Sequence, residues 1–213
     1  MKFKNKYIAS ALLAIMVLST QTSCDKDFLD KNPLNAISGP TFWKTETDVQ
    51  MSLTAVYRTL QNNFYGARKP FLDAYSDNAL DRHTFFGFGN YTIGVINPSN
   101  INTALYNVPY SGIAQCNYFL DNIDGVAAVS QASKDAYKAD VRFIRAMYYF
   151  DLVQFFGDVV VYKTAPKTAE EAKIAKTPKA DVLAFVVEEL DFSISKLPAT
   201  AYSGRAVKAA AQM

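Results

Sequence analysis

The sequence predicts an all-α protein: tetratricopeptide-like stacked helical pairs, interrupted by one long, loop-rich aromatic insertion. Three observations lead there. Apolar residues recur at three- and four-residue steps in four separate stretches. Residues that start or stop helices bound those stretches. The links between them are polar or glycine-rich, as in antiparallel helical pairs stacked side by side. With 213 residues, 50% hydrophobic and 14% aromatic, the chain has material for one core. No clean repeat period accompanies the pairs.

The first 23 residues stand apart from that core. Lys2, Lys4 and Lys6 give a positive start, and Ile8 to Leu18 is a mostly apolar run. That run is too short to span a bilayer, which takes about 20 residues, but it suits a signal peptide. Ser19 to Ser23 then place small residues before Cys24. One reading is an ordinary secretory signal cut nearby. The sharper one is a bacterial lipoprotein signal with Cys24 as the acylated first residue, although Gln21 stands where such signals usually carry leucine. Residues 24–40 then read as a lipidated polar tether with Pro33 and Gly39, and residues 41–213 as the helical domain. Removing the leader takes the formal net charge from +2 to slightly negative, with no basic block to suggest nucleic acid. Cys116, the other cysteine, reads as a small buried residue.

Along the domain, Thr45 caps a helix, and Asp48 three residues on completes a capping box. Val49, Leu53, Val56, Tyr57, Leu60 and Phe64 make its apolar face, with Trp43 as a staple at its start. Tyr65 to Asn100 is broken by Gly66, Pro70, Gly87, Gly89, Gly94 and Pro98, the insertion where functional loops are expected. Helical spacing returns through Tyr106, Tyr110, Ile113, Cys116, Leu120 and Ile123, with Pro109 expected at a first turn or a kink. From about Ser133 comes the longest helix. Tyr137, Val141, Ile144, Tyr148, Leu152 and Phe155 form one stripe, and Phe143, Met147 and Phe150 a second. Such a helix must be covered on two sides. Gly157 is expected to end it, with Phe155 and Phe156 largely buried. Thr177 as cap and Pro178 at the first helical position open another helix, carrying Leu183, Val186, Val187, Leu190, Ile194 and Leu197. Gly204-Arg205-Ala206 leads into a last one.

Chemistry is sparse. His83 is the sole histidine, which excludes any site needing two. No Cys-x-x-Cys, Walker loop, dinucleotide fingerprint or Gly-x-Ser-x-Gly elbow is present, so no cofactor is expected. Asp73, Asp77 and Asp81 would share one face if their segment were helical, about 5–6 Å apart at Cβ. A retaining glycosidase needs paired carboxylates about 5–5.5 Å apart, while Arg68 and Arg82 stand near enough in sequence to neutralise them. Structural roles are the leading reading, with a Ca²⁺ or sugar-hydroxyl contact behind it. The rings of Phe85, Phe86, Phe88 and Tyr91 serve either a core or, beside glycine and Asn90, an open stacking surface. Asp77, Asp81, Phe85, Phe88 and Tyr91 are thus the ligand-binding candidates. Arg142, Arg145 and Asp151 are expected to pair with neighbouring helices, since lone charges on so apolar a helix are costly.

Asp140-Val141-Arg142-Phe143-Ile144-Arg145-Ala146, Tyr149-Phe150 and Phe156-Gly157-Asp158-Val159 resemble the signature helix of the SusD/RagB family, with Val160 where proline is usual. Phe28-Leu29-Asp30, Phe42-Trp43, and Tyr110 with Ile113 and Asn117 also resemble its landmarks, without the usual tryptophan ahead of that tyrosine. Glu189-Leu190, Leu197-Pro198 and Gly204-Arg205-Ala206 match the next ones, and Asp25-Lys26-Asp27 resembles an acidic surface-export tag. The resemblance implies a cell-surface, outer-membrane lipoprotein that binds an oligo- or polysaccharide beside a TonB-dependent, SusC-like transporter, without catalysis. Members are more than twice this length, so the likeness covers their N-terminal portion and the domain reads as truncated. Two other readings stay open, a helical interaction module without ligand and a glycosidase using Asp73, Asp77 or Asp81. In a truncated array Val186, Val187 and Ile194 are expected to be exposed.

Overall fold

The computed structural model describes residues 42–61, 72–74, 76–79, 104–200 and 204–213. The chain divides into two compact units, Met1–Phe42 and Trp43–Met213, and the helical array is the second of them. Its described residues form α1 (Glu46–Thr59), α2 (Ala104–Ile123), α3 (Gln131–Phe156), α4 (Lys179–Lys196) and the short α5 (Lys208–Gln212). Among the described residues there is no strand, only an isolated antiparallel bridge between Val159 and Thr177. No described helix is long and apolar enough to cross a membrane.

α3 is the centre of the array. It packs against α2 on one side and α4 on the other, while α1 lies over α2 and α3, and α5 against α4. Partner order gives the directions. Tyr106 at the start of α2 meets Phe156 at the end of α3, while Asp124, just past the end of α2, takes Lys134 and Lys138 from the start of α3. α2 and α3 are therefore antiparallel. Lys196 reaches Asp135 while Glu189 meets Arg145, so α3 and α4 are antiparallel too. The core between them holds Ile113, Cys116, Phe119, Val141, Ile144, Tyr148, Leu152 and Val182, each at most 1% exposed. Cys116 is free and buried, and burial pushes its thiol up to about 12.

Local chemistry explains most boundaries. The Thr45 hydroxyl accepts from the Asp48 amide at 3.2 Å, and the Asp48 carboxylate accepts from the Thr45 amide at 2.7 Å, which completes the capping box. Trp43, with φ of 63°, sets its ring edge-on to Phe119 at 5.5 Å, stapling the entry of α1 to α2. Gly157 ends α3 at φ 67°, where side-chain-bearing residues rarely go.

Four expectations need correction. Pro109 sits in the second turn of α2, and the helix continues past it. Pro178 is itself the cap of α4 and supplies no side-chain bond. Thr177 is committed instead to the bridge with Val159, and the Lys179 amide is capped from outside by Asp158 Oδ1 at 2.8 Å. Phe155 is exposed and Phe156 only half-buried. Consecutive helical residues point about 100° apart, so Phe156, turned onto Tyr106 at 5.1 Å, leaves Phe155 facing outward. Of the three α4 residues expected to be exposed, Val187 is, at 56%, while the same geometry buries Val186 to 4% and leaves Ile194 half-buried. The expected cover of α3 on two sides is present in α2 and α4, although Phe150 stays 46% exposed beside a groove of about 320 Å³ lined by Phe143, Met147, Val186 and Leu190.

Candidate functional site

One polar network fixes the segment that follows α3. Glu189, 1% exposed, holds two guanidiniums: Arg142 at 2.8 Å and Arg145 at 2.7 Å. Arg145 then donates to the Asn117 side-chain oxygen at 2.6 Å and to the Lys163 carbonyl at 3.0 Å. Asn117 is fully buried, and its amide donates to the carbonyls of Tyr162 (2.8 Å) and Thr164 (3.1 Å). The Tyr149 hydroxyl accepts from the Tyr162 amide at 2.7 Å and donates to its carbonyl at 3.1 Å. A buried network with every member bonded is rigid. The 160–164 backbone is thus held by side chains rather than by strand pairing.

Against this segment α2 lays a half-buried aromatic face. Tyr106 and Tyr110, one turn apart, have ring centroids 4.8 Å apart, and Tyr110 meets Tyr162 at 6.1 Å and 76°. The Tyr110 hydroxyl donates to the Val160 carbonyl at 2.8 Å. Burial first, and then the Tyr106 hydroxyl, push its ionisation well above the ordinary tyrosine range, so it stays neutral. Between α2 and the segment opens a cleft of about 460 Å³ lined by Tyr106, Asn107, Tyr110, Ser111, Asn117 and Tyr162, among others. Rings with amide and hydroxyl groups beside them suit a ligand with apolar faces and polar edges, as a sugar has. No group of three or more His, Cys, Asp or Glu able to hold a metal ion occurs among the described residues.

The residues singled out from sequence lie mostly elsewhere. Asp77 is exposed and sits in a bend. Asp73 belongs to a 3₁₀ turn at 72–74, where its carbonyl accepts from the Ser76 amide at 3.1 Å. Asp73 and Asp77 therefore do not share an α-helical face, which removes the geometric basis for pairing them. Cys24, Asp81, His83, Phe85, Phe88 and Tyr91 lie outside the described residues. Of the ion pairs expected on α3, those of Arg142 and Arg145 are present and converge on Glu189. Tyr106 and Tyr110 read as a packing stripe in the sequence. Their one available signal is a repeated aromatic–polar doublet, Tyr106-Asn107 and Tyr110-Ser111, one helical turn apart.

The family described as "Starch-binding associating with outer membrane", a SusD-like family, matches residues 27–212. SusD-like protein P25 of Formosa agariphila is 30% identical over 204 residues, covering 87% of this chain and 37% of that protein. Among solved structures, a SusD-like carbohydrate binding protein from Bacteroides fragilis superposes with a TM-score of 0.70 at 29% identity, over 80% of this chain and 36% of the other. Surface glycan-binding protein A from Bacteroides uniformis gives 0.69 at 25% identity, over 78% and 40%. In each comparison this chain spans well under half of the relative's length.

Proposed function

This chain belongs to the SusD-like family described as starch-binding and associating with the outer membrane, and from that premise we propose that it binds a glycan without transforming it. The observation that carries the reading is the tyrosine cleft of about 460 Å³ between α2 and the 160–166 segment. Tyr106 and Tyr110 offer ring surface, and Asn107 and Ser111 add amide and hydroxyl groups to the same lining. The rigid segment beneath fixes Tyr162 before ligand arrives, which lowers the ordering cost of binding. The finer parts of the proposal follow the family. Cys24 carries a lipid that anchors the protein at the outer-membrane surface, and the bound glycan passes to a TonB-dependent, SusC-like transporter. Asp77, Asp81, Phe85, Phe88 and Tyr91 contribute further ligand contacts in the same proposal.

Affinity electrophoresis through gels containing starch, laminarin, pectin or carrageenan tests the reading. The wild-type chain is expected to be retarded by at least one of them, and Tyr106→Ala to lose roughly five-fold or more in affinity, as an aromatic anchor does. Unretarded migration across the panel, or equal retardation of wild type and Tyr106→Ala, contradicts binding in this cleft.

A further inference from the structure

Beside the tyrosine cleft lies a second cavity, of about 250 Å³, with a different lining. Lys138, Arg142, Arg145, Lys163, Asp124, Glu188 and Glu189 bring charges to it, with the Phe185 ring at one wall. Their pairing is uneven. Lys138 is matched by Asp124. Arg142 and Arg145 share the single carboxylate of Glu189, so that cluster keeps one net positive charge. The Lys163 ammonium stands 5.1 Å from the Phe185 ring centroid and meets no carboxylate among the described residues. Glu188 is the one counterweight. It approaches Arg142 only to 3.9 Å and is 65% exposed, where water and salt weaken its pull.

The two cavities share a wall. Tyr162 lines the tyrosine cleft and Lys163, the next residue, lines the charged cavity. The backbone bends at residues 163–164, and it is fixed there by Asn117, Tyr149 and Arg145. A chain of sugars crossing the 162–164 segment would meet the Tyr162 ring in the first cavity and the Lys163 ammonium in the second. A volume of 250 Å³ corresponds to about eight water molecules, enough for an anionic substituent and part of its sugar ring.

We propose that this cavity is an anion subsite, selecting glycans that carry carboxylate or sulfate groups over neutral ones. The proposal deepens the glycan-binding reading and rests on it. The Arg142–Glu189–Arg145 cluster joins α3 to α4 and has structural work of its own. Lys163 has less: its carbonyl accepts from Arg145, and its ammonium meets the Phe185 ring but no carboxylate among the described residues. Its side chain is the group on which the proposal turns.

Calorimetric titration of the purified chain with trigalacturonic acid, a sulfated carrageenan tetrasaccharide and maltotriose provides the test. At least one charged probe is expected to bind about five-fold or more tighter than maltotriose, with the preference shrinking in high salt. Which charged probe wins identifies the carboxylate or the sulfate, and either supports the subsite. Lys163→Ala should erase most of the preference, Lys163→Arg should keep it, and Glu188→Gln should strengthen it. Maltotriose binding as tightly as the charged probes, or a preference untouched by Lys163→Ala, overturns the anion subsite while glycan binding stands. No binding of any probe overturns the anion subsite, and with unretarded migration through all four polysaccharide gels it defeats the glycan-binding reading as well.

Discussion

Gly112 shows how much one residue can fix. A Cβ added there would lie 2.2 Å from Cε2 of Tyr148, far inside contact distance. The ring cannot simply step aside, because Tyr148 is fully buried and its hydroxyl is 2.6 Å from that of Thr59. Gly112→Ala is therefore expected to destabilise the chain by about 1–3 kcal/mol, read as a lowered midpoint in urea unfolding. An unchanged midpoint would show that the α2–α3 contact yields. Such a glycine reads in sequence as a mild helix weakness, since the ring that needs its space lies 36 positions away. Arg142 and Arg145 are legible because charges on an apolar helix must find partners. That both converge on Glu189 is not, because pairing across helices depends on their register. Cys24 belongs to this scale too. Labelled palmitate is expected in the wild type and absent from Cys24→Ala, and equal labelling of both would contradict lipidation there.

Helix boundaries are legible where their signals are local. The Thr45–Asp48 capping box lies within four residues and forms as the sequence implies. Its pH dependence follows from the same bonds. The Thr45 hydroxyl, then its amide, hold the Asp48 carboxyl below its ordinary range. The contribution of the ionised cap is thus present above about pH 4 and is lost as pH falls through the depressed value. The start of α4 escapes a local reading because its cap comes from Asp158, 21 residues earlier. Asp158→Ala is expected to cost about 1 kcal/mol, as loss of a capping side chain does, and to speed amide exchange in the first turn of α4. Unchanged exchange there would contradict capping by Asp158. Pro109 departs from the first-turn position for another reason: a proline is tolerated inside a helix when packing on both sides holds the helix together. Leu105 before it and Ile113, Cys116 and Phe119 after it, all buried, provide that packing.

At the scale of the molecule, apolar periodicity with start and stop signals is enough to identify four long helices, and the two stripes of α3 imply that it is covered on two sides. The tyrosine cleft is not legible, because it forms where the 160–166 segment folds back on α2, and ring spacing cannot distinguish a cleft wall from a core. Val187 and Phe150 remain exposed, whereas the small α5 residues Ala210 and Ala211 line part of the apolar groove beside Phe143 and Met147. The central claim is that glycan binds between α2 and the segment after α3. Mapping of amide chemical shifts in the labelled chain, during titration with the glycan that retards it most, tests this directly. The account predicts saturable shifts concentrated at Asn107, Tyr110, Ser111, Tyr162 and Lys163. Saturable shifts that leave those residues unmoved and gather elsewhere would contradict it.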